Sequence, residues 1–155
     1  MSKTDTKKDK MNIQQKLQGI QTELKAPKGQ TNKFGGYRYR SCEDILTALK
    51  PLLAQYTCTL AISDDIVEVG GRVYVKATAT LASTSCEDDY TINVSGFARE
   101  AETKKGMDDA QITGSASSYA RKYALNGLFA IDDTKDPDAT NDHGKSAPKK
   151  QVTQF

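Results

Sequence analysis

Small residues recur at helical spacing between residues 107 and 125, and polar residues occupy the opposite side of the same stretch. At ~100° per residue, one face consists mainly of small side chains: Ala110, Thr113, Ala116, Ser117, Ala120, Tyr123 and Ala124. The other face is polar and holds Asp108, Gln111, Ser115, Ser118 and Lys122. The pattern predicts a helix that lies unusually close to whatever it covers, because its packed face has little bulk.

Start and stop signals place the ends of this helix near residues 107 and 125. Asp108 and Asp109 put negative charge in the first turn, where the helix dipole favours it. Asn126 and Gly127 tolerate left-handed backbone and commonly end helices. We therefore predict a single helix of about five turns over residues 107 to 125.

Two further amphipathic helices are predicted upstream. Residues 11 to 25 carry a narrow apolar stripe at helical spacing, formed by Ile13, Leu17, Ile20 and Leu24. Ser41 is the predicted N-cap, with Asp44 three residues later, and the apolar spacing that follows extends to about Gln55. Pro51 predicts a kink or a break in the last turns of this second helix.

Three runs of strand character lie between these helices and the small-residue helix, at residues 57–69, 72–83 and 89–100. Gly70 and Gly71 form a tight turn between the first two runs, so we predict an antiparallel meander. A three-stranded meander needs a cover on its apolar face, and the small-residue helix is a suitable one. The fold class is therefore α+β.

Strict alternation in the second and third runs predicts one apolar and one hydroxyl-rich face. The apolar positions are Val73, Val75, Ala77, Ala79 and Leu81, then Tyr90, Ile92, Val94, Gly96 and Ala98. Asp64 and Asp65 interrupt the alternation of the first run, which predicts a bulge or a bend there.

Composition limits the folded part of the 155 residues to the middle of the chain. Residues 1–10 are predicted to be a disordered basic arm and residues 132–155 a disordered polar tail, because neither has enough apolar residues to offset ordering entropy. The folded domain spans residues 11–131. The formal net charge is only +2, so attraction to nucleic acid must come from a local concentration of cations.

Residue types that carry catalysis are scarce. The single histidine, His143, lies in the polar tail, which removes the usual general base and most zinc sites. The aspartates at positions 132, 133, 136 and 138 lack the turn glycine and terminal glutamate of a calcium loop. They form a solvated linker or compete with DNA for a basic surface. We predict no enzymatic activity, cofactor or metal.

Cysteine usage and hydropathy indicate the compartment. The three cysteines are an odd number without metal-ligand spacing, and no apolar run resembles a signal peptide or a membrane span. We therefore expect a cytoplasmic protein without membrane contact.

Basic and aromatic residues alternate between Lys25 and Arg40, where five cations and no acid occur. The candidate DNA-binding residues here are Lys33, Phe34, Tyr37, Arg38, Tyr39 and Arg40. One hypothesis is a surface that stacks bases and follows phosphates; the other is a solvated loop whose tyrosines pack on the second helix. Arg121 and Lys122 also allow two roles, because cations near a helix C-terminus complement its dipole. We expect Tyr37 and Tyr39 on one face of a short strand, opposite Arg38 and Arg40.

The segment GSASSYARKYALNGLFAIDD, from Gly114 to Asp133, resembles the most distinctive stretch of the ERF (essential recombination function) family of phage single-strand annealing proteins. The segment YRYRSCEDILTALKPLL, from Tyr37 to Leu53, is similar to an earlier block of that family. The resemblance covers most of residues 11 to 138 and neither tail.

The resemblance implies ATP-independent binding of single-stranded DNA and annealing of complementary strands in phage recombination, by rings or helical oligomers. The broader superfamily pairs a β-meander with a helix whose basic end lines the DNA groove, which implies that Arg121 and Lys122 face the strand backbone. Lys33, Arg38 and Arg40 would then hold phosphates, and the three aromatic residues would stack on bases.

Two other interpretations stay open at this point. One is a single-strand-binding module that protects nucleic acid without annealing it, and the other is an adaptor that uses the polar tails. Single-stranded DNA and further copies of the chain are the predicted partners, with a single-strand-binding protein as a third candidate.

Overall fold

The computed structural model of this protein describes residues 7–85 and 90–132, which form an α+β fold. The elements in chain order are α1 (Ile13–Glu23), β1 (Gln30–Thr31), β2 (Arg38–Tyr39), α2 (Cys42–Gln55), β3 (Cys58–Val69), β4 (Arg72–Ser83), β5 (Thr91–Arg99) and α3 (Asp109–Phe129). Strands β1 and β2 form a small antiparallel hairpin, and β3, β4 and β5 form an antiparallel meander in that order. The predicted α+β class and meander are confirmed.

The predicted terminal segments lie largely outside the described residues. Residues 7–9 are helical, whereas residues 1–6 and 133–155 are not among those described, so the arm and the tail stay predictions. Within the described ranges, none of the helices combines the length and the apolar character needed to cross a membrane.

The meander is regular over its whole length. Strand β3 pairs with β4 one residue for one residue from Cys58 opposite Ser83 to Val69 opposite Arg72. The bulge predicted at Asp64 and Asp65 is therefore wrong. The reason is that Asp64 has partners on α3, so its carboxylate is accommodated on the covered face without disturbing the ladder.

One face of the meander is covered, as the alternation predicts. Strand β4 contributes four buried side chains to this face: Val75, Ala77, Ala79 and Leu81. Helix α3 lies over this face, and its buried side chains are Ile112, Ala116, Ala120, Ala124, Leu125, Leu128 and Phe129. The opposite face carries polar side chains that hydrogen-bond between neighbouring strands, as Thr78 does with Ser95 and Thr80 with Asn93.

Helix α3 starts and ends later than its signals predict. Asp108 is the N-cap, and it forms a reciprocal capping box with Gln111 at 2.9 and 3.1 Å. The helix passes through Asn126 and Gly127 and ends where Ala130 adopts a left-handed backbone with φ 50°. Burial of its last turn outweighs the stop signal, since local propensity is a weaker preference than apolar burial.

The small side chains of α3 allow its backbone to touch β5. Gly96 lies opposite Ala77 on the covered face, and Ala77 lies opposite Asp64. A Cβ atom at Gly96 would collide with the carbonyl oxygen of Ala120 and lie 2.5 Å from the nitrogen of Ala124. The predicted close approach is thus confirmed, and the missing side chain of Gly96 makes it possible.

Helices α1 and α2 pack beside this sheet. Both have capping boxes, at Asn12 and at Ser41, and α2 continues to Gln55 through Pro51, so a helix break there does not occur. Lys16 is fully buried on the inner side of α1. Its ammonium group donates to the Thr57 hydroxyl at 2.7 Å and to the Ser83 hydroxyl at 2.8 Å.

Substituting Gly96 by alanine should destabilise the fold, because the added Cβ would push α3 away from β5. We expect the free energy of unfolding to fall by about 1–3 kcal/mol, as overpacking of a core contact does. Denaturant unfolding followed by circular dichroism measures the change.

Gly114→Ala is the matched control, because nothing lies within 4 Å of a Cβ at this exposed helical position. It should raise stability by about 0.5–1 kcal/mol through the helix preference for alanine over glycine. A Gly96→Ala protein as stable as the wild type would contradict the close contact.

Candidate nucleic-acid interface

The hairpin loop between β1 and β2 is organised by the side chain of Asn32. Its Oδ1 accepts hydrogen bonds from the backbone of Phe34 at 2.8 Å and of Gly35 at 3.1 Å. Its Nδ2 donates to the Tyr37 hydroxyl at 2.8 Å, and its backbone carbonyl accepts from Gly36 at 2.9 Å. One side chain therefore fixes both the turn and the position of an aromatic ring.

Aromatic and basic side chains project from this hairpin into solvent. Phe34 has 103% of its reference surface exposed and Tyr37 has 53%. The rings of Tyr37 and Tyr39 meet edge to face with centroids 6.2 Å apart, so the prediction that they share one face is confirmed. Lys33 and Arg38 are exposed beside them. Bases and phosphates can reach this combination.

Contacts with the start of α2 anchor the base of the hairpin. Gln30 of β1 donates to Asp44 at 3.2 Å, and Asp44 also caps the helix through the Ser41 backbone at 2.9 Å. The backbone and hydroxyl of Ser41 and the amide of Gln30 together hold the pKa of Asp44 below its usual value. The hairpin is thus attached to α2 through hydrogen bonds that depend on an ionised carboxylate.

Arg40 points into the protein, unlike Arg38. Only 8% of its surface is exposed, and its Nη2 donates to the backbone carbonyl of Asp132 at 3.4 Å. Arg40 lines a cavity together with Phe129, the last residue of α3, and Ile131, two residues further on. In this conformation Arg40 connects β2 to the C-terminal end of α3, and a phosphate would reach it only after rearrangement. Its DNA-binding role stays a prediction.

Arg121 forms an ion pair with Asp64 across the contact between α3 and β3. Its Nη2 lies 3.2 Å from Oδ2 of Asp64 and its Nε 3.2 Å from Oδ1, and the Ser117 hydroxyl bonds the same carboxylate. The Arg121 side chain is 39% exposed. One edge of the guanidinium is therefore held against the sheet, while part of the group still meets solvent.

The titration of Asp64 reflects the same contacts. Burial raises the pKa of Asp64, but the hydrogen bonds from Ser117 and Arg121 and the charge of Arg121 outweigh burial and hold it below the ordinary value. Asp64 is therefore ionised at neutral pH, and it cancels part of the positive charge that Arg121 presents.

The two cations of α3, Arg121 and Lys122, act electrostatically on the start of α2, next to the hairpin. The Lys122 ammonium lies 4.9 Å from the centroid of the Tyr119 ring. Burial and then the Glu43 carboxylate raise the pKa of the Cys42 thiol, whereas the charges of Arg121 and Lys122 oppose the increase. The start of α2, two residues after Arg40, therefore lies in the field of both α3 cations.

The structure thus brings the base of the hairpin, but not every predicted side chain, towards the α3 cations. Four predicted residues form one exposed group on the hairpin: Lys33, Phe34, Tyr37 and Arg38. Tyr39 is half-buried, Arg40 is buried, and Arg121 and Lys122 have local partners. The DNA-binding roles of these residues stay predictions.

Sequence reasoning missed several residues that shape this surface. Asn32 precedes a Gly-Gly pair by three positions, a spacing typical of side-chain-stabilised turns, so its role was detectable. Asp64 and Ser117 become partners only through the crossing of α3 over the sheet, and no local pattern signals it. Tyr123 was predicted to be packed, yet it is 48% exposed.

A groove between β5 and α3 was also missed. Its volume is about 360 Å³, and its lining includes Phe97, Arg99, Lys104, Tyr119 and Tyr123. No three His, Cys, Asp or Glu side chains come together as a metal site in residues 7–85 and 90–132. The aspartates at positions 133, 136 and 138 lie outside the described residues.

Asp64 should make stability depend on pH in the acid range. Its pKa is lowered by folding, so its contribution is present above the unfolded-state pKa of ~3.9 and is lost as pH falls through the lower folded-state value. Wild type should therefore lose more stability than Asp64→Asn on acidification below about pH 4. Denaturant unfolding across that pH range measures both proteins.

Asp65→Asn controls for the lost charge, because Asp65 lies on the opposite face of the same strand, away from Arg121. Parallel stability curves for wild type and Asp64→Asn would show that the ion pair adds nothing to folding. Because Arg121 is partly exposed, the difference at neutral pH should be about 1 kcal/mol or less.

Comparison with known proteins identifies the family. The profile of the ERF superfamily matches residues 13–154. The chain is 57% identical over 140 residues to the "Essential recombination function protein" of Salmonella phage P22, a match that covers 88% of this chain and 65% of that relative. No solved structure matches significantly. The chain belongs to the ERF superfamily.

Proposed function

We propose that this protein binds single-stranded DNA and anneals complementary strands in phage homologous recombination, without ATP and as an oligomer. The observation that carries the proposal is the exposed hairpin group of Lys33, Phe34, Tyr37 and Arg38. The ERF membership and the recombination function named for the phage P22 relative support the biological role.

The hairpin group has the two components that single-strand binding requires. Aromatic faces stack on bases of any identity for about 1–3 kcal/mol per base, and cations follow the phosphates. Phe34 stands clear of the protein, so both faces of its ring are available to bases. Lys33 and Arg38 flank it. They supply a local positive charge for phosphates, which the overall net charge of only +2 does not provide.

Arg121 and Lys122 extend this surface towards α3 in the proposal. Arg121 is held by Asp64 on one edge, so it meets a phosphate only through its exposed part. Asp64 positions the guanidinium, and its negative charge also weakens the attraction between Arg121 and a phosphate. The hairpin cations therefore make the larger contribution to affinity, and the α3 cations define the course of the strand beyond the hairpin.

Annealing needs no reacting side chain in this mechanism. Stacking on the protein separates neighbouring bases and holds their pairing edges outward, and a second strand then tests them by base pairing. The free energy comes from the duplex, so neither nucleotide hydrolysis nor a metal is required. Single-stranded DNA is the proposed partner, with a single-strand-binding protein as a second one.

Mixing the protein with labelled complementary oligonucleotides, without nucleotide or metal, should accelerate their pairing above the spontaneous rate. Fluorescence quenching between the two labels follows the reaction. Lack of acceleration at saturating protein would refute annealing. Binding by gel shift without faster pairing would instead indicate a protective single-strand-binding module.

Two hairpin substitutions separate stacking from charge. Phe34→Ala should weaken binding to every sequence alike, by about 1–3 kcal/mol if one base stacks, and should leave the salt dependence unchanged. Arg38→Ala should weaken binding and reduce the slope of log affinity against log salt by ~0.7 if it meets one phosphate. Fluorescence anisotropy at several salt concentrations measures both effects.

Lys50→Ala is a control for charge, because Lys50 is an exposed cation on α2, apart from the hairpin. It should change neither affinity nor slope by a comparable amount. If Phe34→Ala and Arg38→Ala also bind like the wild type, the hairpin is not the binding surface. Both side chains are exposed, so we expect each variant to stay folded, and circular dichroism checks this.

A further inference from the structure

The two outer strands of the meander differ in charge. In the described structure β3 and β5 each pair with β4 alone, so each leaves one edge of the sheet unpaired. Strand β3 carries three acids and no base, and two of these acids, Asp65 and Glu68, remain beside the ion-paired Asp64, whereas β5 carries one base and no acid. An unpaired strand edge is a template for pairing with another chain, and here the two templates are electrostatically unlike.

The β5 edge carries an aromatic and basic groove. Phe97, Tyr119 and Tyr123 are about half-exposed, at 51%, 46% and 48%. The rings of Tyr119 and Tyr123 are 6.2 Å apart. Arg99 and Lys104 are the charged side chains of this groove, which we call the edge groove. Half-exposed rings grouped in this way are unusual on a surface without a partner.

The β3 edge carries an aliphatic and acidic surface. Ile66 and Val69 are each 61% exposed, and Asp65 and Glu68 are exposed next to them in the sequence. Ile66 lies opposite the buried Val75, so it belongs to the covered face of the sheet, the same face on which α3 lies. We call these four residues the acidic edge.

We propose that copies of this chain associate head to tail, with the acidic edge of one copy seated in the edge groove of the next. Ile66 contacts the rings of Tyr119 and Tyr123, and Asp65 and Glu68 approach Arg99 and Lys104. The occupant is a second copy because the complementary apolar and charged surface lies on the opposite edge of the same sheet.

The strand directions limit how two copies can meet. Both β3 and β5 run antiparallel to β4, so they run parallel to each other. When the next copy lies beside the first in the same orientation, β5 of one copy runs parallel to β3 of the other. The same contact can then be repeated, which builds a ring or a helical filament. A two-fold axis would instead join like edges, which places acid against acid or base against base.

This inference names the contact surfaces of the oligomer and rests on that part of the proposed function. Binding of a nucleic acid in the edge groove is the alternative, because rings and cations also suit bases and phosphates. The two interpretations differ in the role of β3. Self-association requires Ile66 of β3, whereas nucleic-acid binding in the edge groove does not, because Ile66 lies at the far edge of the sheet.

The test uses two variants of the 155-residue chain without DNA. The first, Ile66→Lys, places a cation opposite the basic groove. The second combines Phe97→Ser with Tyr119→Ser and removes two half-exposed rings. Sedimentation velocity should show assemblies for the wild type and a 16.9 kDa monomer for each variant.

An equimolar mixture of the two variants should form a dimer and nothing larger. Each variant keeps one intact surface, so a single native contact forms between unlike variants and the damaged surfaces block further growth. Ala54→Lys, at an exposed position of α2, adds the same charge elsewhere and should assemble like the wild type. Circular dichroism verifies that each variant is folded.

Each other outcome overturns the proposal. A monomeric wild type shows that no such contact forms, and dissociation in one variant only indicates pairing of like edges. Wild-type assembly in both variants places the interface elsewhere. Loss of DNA affinity in the groove variant, with its assembly unchanged, assigns the groove to nucleic acid. Annealing assays run in parallel separate this failure from failure of the proposed function.

Discussion

Where α3 crosses β5, the helix backbone occupies the space that any side chain at position 96 would need. That contact determines how closely the helix approaches the sheet. Only small side chains fit between the two, and the alanines at positions 116, 120 and 124 are buried there. The same crossing carries Arg121 to Asp64 on β3 and leaves Tyr119 and Tyr123 overhanging β5. A bulkier interface would separate the layers and remove both arrangements at once.

Much of the fold follows from periodicity alone. Alternation in β4 and β5, the small-residue face of α3 and the capping signal at Ser41 are local patterns, and the structure contains each of them. The errors occur where tertiary contacts outweigh local signals. Leu128 and Phe129 are buried and extend α3 past Asn126 and Gly127, because their burial outweighs the tendency of those two residues to end a helix.

The candidate site was predictable in composition but not in arrangement. Alternating cations and rings identify the hairpin, since exposure of such residues follows from their position beside a Gly-Gly turn. The opposite environments of Arg38 and Arg40 do not follow from sequence, because the burial of Arg40 depends on where α3 ends. Lys16 is a similar case: a cation within an apolar stripe finds its hydroxyl partners on distant segments.

The bonding of Asn32 has a consequence for how tightly the hairpin can hold a flexible ligand. Fixing a loop residue costs about 1–2 kcal/mol of conformational entropy, and a free loop would bear that cost at the moment of binding. Here the side chain of Asn32 already holds Phe34, Gly35 and Tyr37 in place during folding. The loop is therefore preorganised, and in the proposed DNA-binding role Asn32 would raise the affinity without touching a nucleotide itself.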